Sequence, residues 1–268
     1  LRARDVSILL FGMVQRATAI SPAVLAWARE RAGLSVEEVA NRIGKPADVI
    51  AAWERGESFP AYGQLETLAE DVFKRPVALF FLPEPPVERG AQHDFRTLPD
   101  ADVESLSPDT RYALRDAHAF QLSLRELSGG QNPAPRLIFR DLRPTPDADV
   151  VQLSARLREY LGVTVALQQS WRNAETALNE WRDVIESCGI FVFKRSFKDS
   201  SVSGFCLHEG EFPLIVVNNS TPFSRQIFTL FHELAHILYG VSSITRSDVR
   251  LSGSFAPGYA AIEVACNR

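Results

Sequence analysis

The segment from Phe231 to His236 reads F-H-E-L-A-H, an HExxH motif. His232 and His236 are four residues apart, about one helical turn, so their imidazoles project from the same helix face and can bind one metal ion together. Glu233 is offset by one residue, which places its carboxylate beside the metal, where it can act as a general base on water. The motif therefore predicts His232 and His236 as metal ligands and Glu233 as the catalytic residue.

A catalytic zinc ion usually has three protein ligands and one exchangeable position. No histidine follows His236, so the candidates downstream are the acidic residues Asp248 and Glu263. Glu263 lies in a second helical pattern that can pack against the first, whereas Asp248 lies in a polar stretch and is the weaker choice. We expect Glu263 to complete a His₂Glu set that binds Zn²⁺, and the same set suits Mn²⁺.

The elements that must position the motif are visible in the hydrophobic pattern. The HExxH residues lie in an apolar helical segment, 223–239, that ends before Gly240. Three runs rich in β-branched and aromatic residues precede it, and they predict a small antiparallel β-meander. Further helices are expected at about 108–127, 148–161 and 174–187. The sequence thus predicts a mostly helical, zincin-like domain whose chemistry is metal-assisted amide hydrolysis.

A peptide substrate can pair with an exposed strand edge through main-chain hydrogen bonds. The second run of the predicted meander, V-S-G-F-C-L-H, offers such an edge. We expect Ser203, Gly204 and Phe205 to form it, so these three residues are the candidates for contact with the substrate strand.

The N-terminal part of the chain is a series of short amphipathic helical patterns at about 22–32, 35–44, 46–55 and 63–73. Ser35 with Glu38 three residues later forms a capping box at the start of the second helix, and Gly44 ends it. The small Ala40 allows close helix crossing, and the tight turn at Gly44 leads into the next helix. This arrangement predicts a helix-turn-helix.

The residues at the start of the third helix limit the inference to DNA binding. Recognition helices present polar side chains to base edges, but most of the corresponding positions here are small or acidic: Pro46, Ala47, Asp48, Ala51 and Ala52. Lys45, Arg42 and Arg55 are the candidate DNA-contacting residues. Two interpretations stay open: the module binds DNA, or it serves for protein docking or dimerisation, as in a homodimer.

Composition narrows the class of protein. The 268 residues are 46% hydrophobic and 23% charged, typical of a globular chain with room for two domains. The net charge of −4 gives no bulk attraction to nucleic acid, and three scattered cysteines indicate neither a disulfide framework nor a cysteine zinc site. No apolar run is long enough to span a membrane. Asp5 interrupts the N-terminal apolar stretch, so we expect no secretion signal and a cytoplasmic protein without membrane partners.

The predicted fold class is α+β, with an all-helical domain at 1–86, a connecting segment and helix at 87–130, and the zincin-like domain at 131–268. Residues 22–83 resemble the lambda-repressor/Cro-type (XRE) helix-turn-helix family through Leu34-Ser35, Glu38-Val39-Ala40, Ile50, Trp53-Glu54-Arg55-Gly56 and Pro60. The segment from about Gly189 onward resembles the ImmA/IrrE family of metallo-endopeptidases. It does so through Gly189-Ile190-Phe191-Val192, Ser203-Gly204-Phe205, Ile215 to Asn219, Arg225-Gln226, Phe228-Thr229-Leu230, the HExxH motif, Glu263 and Cys266-Asn267. Asp94-Phe95-Arg96 is similar to a segment of members fused to a helix-turn-helix.

This resemblance implies a zinc-dependent protease of the bacterial cytoplasm that cleaves a helix-turn-helix repressor, in mobile-element transfer or in responses to stress and DNA damage. It implies His232, His236 and Glu263 as ligands and Glu233 as the general base. The family usually continues past the Cys266-Asn267 element, so a truncated or disordered C-terminus is expected. Two alternatives stay open: a DNA-binding regulator whose protease-like domain senses a ligand or partner without cleaving, and an antitoxin-like protein that uses both domains for docking.

Overall fold

The computed structural model of the chain describes residues 17, 19–88, 106–246 and 259–267. The chain forms two compact units, Leu1–Arg89 and Gly90–Arg268. The described part of the first unit is helical, and the second unit contains helices and a four-stranded sheet. The fold class is therefore α+β, as predicted. The segment Asp94-Phe95-Arg96 and the alternative ligand Asp248 lie outside the described residues. The predicted domain limits at 86 and 130 stay predictions.

The first unit contains the predicted helices with small shifts in their ends. They are α1 (Pro22–Arg31), α2 (Val36–Ile43), α3 (Ala47–Glu54) and α4 (Tyr62–Glu66), which continues as a π-helical turn over Thr67–Val72 and is followed by a 3₁₀ helix over Val77–Phe81.

The capping box that begins α2 is present as predicted. The Ser35 Oγ accepts a hydrogen bond from the Glu38 backbone N–H at 3.1 Å, and the Ser35 N–H donates to the Glu38 carboxylate at 2.7 Å. Gly44 ends the helix in the left-handed conformation, with φ of 63°. The inner face of this helix, Val39 and Ala40, is buried in the core of the unit. The helix-turn-helix geometry therefore follows from local signals.

The second unit contains seven helices and four strands among its described residues. They are α5 (Pro108–Leu127), α6 (Ile138–Asp141), α7 (Val150–Leu161), α8 (Val165–Ser170), α9 (Ala174–Ser187), β1 (Phe191–Arg195), β2 (Val202–Leu207), β3 (Leu214–Asn218), α10 (Phe223–Leu238), β4 (Ser243–Arg246) and α11 (Tyr259–Cys266).

The sheet is mixed, with the order β1-β3-β2-β4, and this corrects the predicted antiparallel meander. β3 pairs antiparallel with β2 but parallel with β1, with Val192 opposite Ile215. β4, which the sequence analysis did not predict, pairs antiparallel with β2. The physical reason is the composition of β3: its first four residues are all apolar, which is typical of a strand in a sheet interior, whereas in a simple meander β3 would lie at an edge.

Helices cover both faces of the sheet. α9 and α10 pack on one face, where Val192, Ile215 and Val217 join their core. α5 packs on the other face, where Phe205 and Val216 join Leu114 and its neighbours. Because both faces are buried, every residue of β2 and β3 is buried. The sheet is thus a rigid support for the helix that carries the HExxH motif.

A close contact between α10 and β2 depends on Gly204. A Cβ atom at this position would lie 2.6 Å from the Thr229 Cγ2 on α10 and 2.8 Å from the Val216 backbone oxygen on β3. Real Cβ atoms do not approach other atoms so closely, so the absent side chain lets α10 lie against the sheet. This packing sets the distance between the HExxH helix and β2.

Candidate metal centre

The two histidines and the distant glutamate come together where α10 meets α11. The Nε2 atoms of His232 and His236 lie 3.1 Å apart. The Glu263 carboxylate lies 3.2 Å from the His236 Nε2 and 3.7 Å from the His232 Nε2. Both imidazoles are buried, and the Glu263 side chain is 14% exposed. Helix packing thus brings three potential ligand atoms within 4.8 Å of one another.

These separations fit a small divalent cation. Ligands at about 2.0–2.2 Å from a tetrahedral zinc ion lie roughly 3.3–3.5 Å from one another, close to the three distances between the ligand atoms. The donor set of two imidazoles and one carboxylate is one that zinc and manganese accept. The residues present therefore fit a metal ion at this position.

The protonation states of the ligands favour metal binding. Burial, together with electrostatic repulsion between the two neighbouring imidazoles, lowers the pKa of His232 to about 4. Burial raises the pKa of Glu263, but its hydrogen bond and charge interaction with His236 outweigh that effect and leave the pKa below its usual value. At neutral pH the His232 imidazole is neutral and the Glu263 carboxyl is ionised, which are the forms that bind metal ions.

Glu233, next to His232 on α10, is fully buried, and its carboxylate is held by β4. Its carboxylate accepts a hydrogen bond from the Ser243 hydroxyl, and its other oxygen accepts one from the Thr245 Oγ1 at 2.6 Å. The Cys206 Sγ lies 3.3 Å from the Ser243 Oγ. Burial raises the pKa of Glu233 above its usual value, despite the charge of His236 and the two hydroxyl donors. β4 therefore fixes the position of the carboxylate that the motif predicts as a base.

Ser243 and Thr245 are the residues that the sequence analysis missed at this site. They lie two residues apart on β4, so both side chains point to the same face of the sheet, toward α10. The alternation Ser243-Ile244-Thr245 directly after the helix was a signal for such a strand. Its four residues are too few for the pattern to have been distinguished from a loop.

The predicted substrate strand is wrong. Ser203, Gly204 and Phe205 lie on β2, which pairs with β3 on one side and with β4 on the other. All three residues are buried, and the space at Gly204 is filled by Thr229. A strand whose two edges are both paired has no free main-chain groups for a peptide. Residues 203–205 therefore form the floor beneath α10 and do not form an edge.

The three candidate DNA-contacting residues are exposed in the helix-turn-helix unit. Arg42 lies in the last turn of α2, and Lys45 lies in the turn before α3. Arg55, just after α3, donates to both carboxylate oxygens of Glu57, at 2.7 and 2.8 Å. Its charge is thus compensated locally, while Asp48 lies in the first turn of α3. Whether these residues contact DNA stays a prediction.

Comparison with known protein families agrees with this geometry. Residues 185–268 match the family described as the IrrE N-terminal-like domain, of the peptidase M78 group. Residues 23–70 match a helix-turn-helix domain. The chain is therefore similar to a helix-turn-helix domain in its N-terminal part and to the IrrE-like peptidase domain in its C-terminal part. The resemblance stated from the sequence motifs is thereby confirmed, and the IrrE-like domain contains α10, α11 and all four strands. Neither a curated protein nor a solved structure matches the chain.

Within the described ranges, no helix combines the length and the apolar composition that a membrane crossing demands.

Proposed function

We propose that the IrrE-like domain is a zinc-dependent endopeptidase, with His232, His236 and Glu263 as the metal ligands. The observation that carries this proposal is the convergence of three ligand atoms from two helices within 4.8 Å. A structural pair of core histidines would not need an acid from a separate helix at 3.2 Å. When bound, the metal supplies the Lewis acidity that amide hydrolysis requires; Mn²⁺ is the second candidate for this role.

In this mechanism Glu233 is the general base. Its raised pKa brings the carboxyl nearer to neutral pH, where a group can both accept and return a proton. It takes a proton from the attacking water and later delivers it to the leaving amine. Ser243 and Thr245 hold the carboxylate in place during both transfers. The burial of His232 and His236 keeps bulk water from the ligand atoms.

The substrate that we propose is a helix-turn-helix transcriptional repressor, whose cleavage would release its genes in a stress response or during transfer of a mobile element. The proposal rests on the match to the IrrE-like family and on the fused helix-turn-helix domain. The alternative is a DNA-binding or antitoxin-like regulator whose peptidase-like domain senses a partner without cleaving. The helix-turn-helix domain suits either function, but a sensor has no need of the base at Glu233.

The test uses the purified, zinc-loaded chain and the helix-turn-helix repressor encoded nearest to it. We expect one discrete cleavage that a chelator suppresses and that zinc restores. Glu233→Gln should retain stoichiometric zinc and abolish cleavage, whereas Glu175→Gln, the same change at an exposed site on α9, should leave it unaffected. Full regulatory activity of the Glu233→Gln protein in cells would instead support the regulator.

A further inference from the structure

Arg225 is a cation on the HExxH helix that has no acidic partner among the described residues. Its Nε and Nη2 donate to the Ser203 Oγ at 3.4 and 3.2 Å, and Nη2 also donates to the backbone oxygen of Arg246 at 3.5 Å. None of these acceptors carries a charge. The Nη1 group donates no hydrogen bond within the part of the chain that the structure describes. Other arginines of the unit do form ion pairs, with Asp116, Glu186 and Glu211.

The Arg225 guanidinium lies close to the candidate metal centre. Arg225 precedes His232 by seven residues, about two turns, so the two side chains share one face of α10. Phe228 lies between them: the guanidinium is 5.1 Å from the centre of the Phe228 ring, and that ring is 5.8 Å from the His232 ring. The Phe228 side chain is 39% exposed. An apolar surface and an uncompensated positive charge thus adjoin a metal ligand.

Both features suit one kind of ligand. A guanidinium forms its strongest contacts with a carboxylate, through two parallel hydrogen bonds. An exposed aromatic ring beside it is suited to the aliphatic stem of the same partner. A group with both properties is an acidic side chain, which has a short apolar stem and a carboxylate end.

We infer that Arg225 and Phe228 form a substrate subsite for an aspartate or glutamate side chain of the peptide; this inference rests on the proposed peptidase function. The two turns between Arg225 and His232 correspond to about 10 Å, which an extended peptide covers in about two to three residues. The acidic residue therefore lies at that separation from the bond that is cleaved. Arg225 is a specificity-determining residue of the IrrE-like domain.

A purely structural role makes a different prediction. In that case Arg225 would only tie α10 to β2 and β4 through Ser203 and the backbone of Arg246. However, these contacts measure 3.2–3.5 Å, longer than is usual for a guanidinium bound tightly to its acceptor. A structural tie would change stability when Arg225 is replaced, but it would not discriminate between a charged and a neutral ligand.

The experiment measures binding, so it does not need the natural substrate. The probes are monohydroxamates of straight-chain dicarboxylic acids, from adipic to sebacic, each paired with its terminal amide; the hydroxamate end is a general ligand for zinc. Titration calorimetry on the zinc-loaded chain gives the affinity ratio of each acid to its amide. We expect at least one acid to bind about tenfold more tightly than its amide. The chain length with the largest ratio reports the distance from the metal to Arg225.

Three variants complete the test. Arg225→Met should reduce the ratio to about one, Arg225→Lys should retain part of it because the charge remains, and Arg125→Met, an exposed site on α5, should leave it unchanged. Equal affinities of acid and amide in the unaltered chain would overturn the subsite while leaving the metal centre intact. If neither probe binds in a zinc-dependent manner, the metal centre itself is refuted, and the subsite with it. If Arg225→Met does not fold, the acid-to-amide affinity ratios of the unaltered chain and of Arg225→Lys are compared instead. A lower ratio in Arg225→Lys then supports the subsite, and an equal ratio contradicts it.

Discussion

At the scale of single residues, the candidate metal centre depends on an acid that lies 27 positions after the second histidine. Glu263→Gln keeps the size of the side chain but removes its charge, so we expect the purified chain to lose most of its bound zinc, from about one ion to less than about 0.2 per chain. His236→Ala should have the same effect. Elemental analysis after dialysis measures both.

Glu209→Gln is the control for this prediction, because Glu209 is exposed and lies outside the cluster. Retention of one zinc ion by the Glu263→Gln protein would mean that a different residue supplies the third ligand. Asp248, the alternative from the sequence, would then be the next position to replace.

The hydroxyls that hold Glu233 provide a second prediction for individual residues. Thr245→Val preserves the shape of the side chain and removes the donor to the Glu233 Oε1, while Ser243→Ala removes the donor to the other oxygen. A hydrogen bond to a charged group contributes about 1.5–3 kcal/mol. We therefore expect the cleavage rate to fall about tenfold in each variant with zinc content unchanged, and Ser243→Thr to restore most of it. An unaltered rate in both variants would show that β4 does not position the base.

At the scale of elements, the packing of α10 on the sheet rests on a position without a side chain. Gly204→Ala introduces a Cβ that meets Thr229 and the backbone of β3 at less than 3 Å, so we expect a loss of about 1–3 kcal/mol in the free energy of unfolding. Urea denaturation followed by circular dichroism measures it. Thr229→Ser removes the methyl group in contact and should recover part of the loss.

Gly63→Ala is the matched control for this prediction. A Cβ at Gly63, on α4, meets no atom within 4 Å, and alanine favours a helix over glycine by up to about 1 kcal/mol. The control variant should thus be neutral or slightly more stable. A similar stability for Gly204→Ala would mean that α10 can shift on the sheet without cost.

The sequence predicted helices better than strands, for a physical reason. α5, α9 and α10 were predicted to within a few residues because their caps and apolar periodicity are local signals. The order of strands is set by contacts between distant segments. The parallel pairing of β1 with β3 and the addition of β4 therefore escaped the analysis. The four-residue β4 was too short to give a periodic signal.

The same distinction divides the candidate site. The residues on α10 were predictable, because a spacing of four on one helix fixes which side chains share a face. Glu263 could be named only as a candidate, since nothing local specifies that α11 packs against α10. The positions of the β4 hydroxyls and of Arg225 beside the site depend wholly on tertiary structure. The sequence also does not show whether residues 203–205 lie inside the sheet or at its edge.

At the scale of the whole molecule, the charge of the helix-turn-helix unit limits its attraction for DNA. Between residues 17 and 88 the chain has seven basic and eleven acidic side chains, a formal charge of −4. Nonspecific binding to DNA is supplied almost entirely by basic side chains that replace counterions at phosphates. The helix-turn-helix unit has little of this contribution, because Arg55 is engaged by Glu57 and Asp48 lies at the start of α3. A specific operator would have to compensate through base contacts.

We therefore expect the full chain to bind a random duplex with a Kd weaker than about 10⁻⁴ M at physiological salt, the weak end of the range for nonspecific binding. Fluorescence anisotropy with a labelled duplex measures it, at low and at physiological salt. Glu57→Gln releases Arg55 and should tighten binding at low salt by about threefold, because one phosphate contact is gained. Glu66→Gln, at an exposed site on α4, is the control for the loss of one acidic charge from the unit. Micromolar affinity for a random duplex, falling steeply with salt, would contradict this prediction, because it would require a basic surface that the described residues of this unit do not provide.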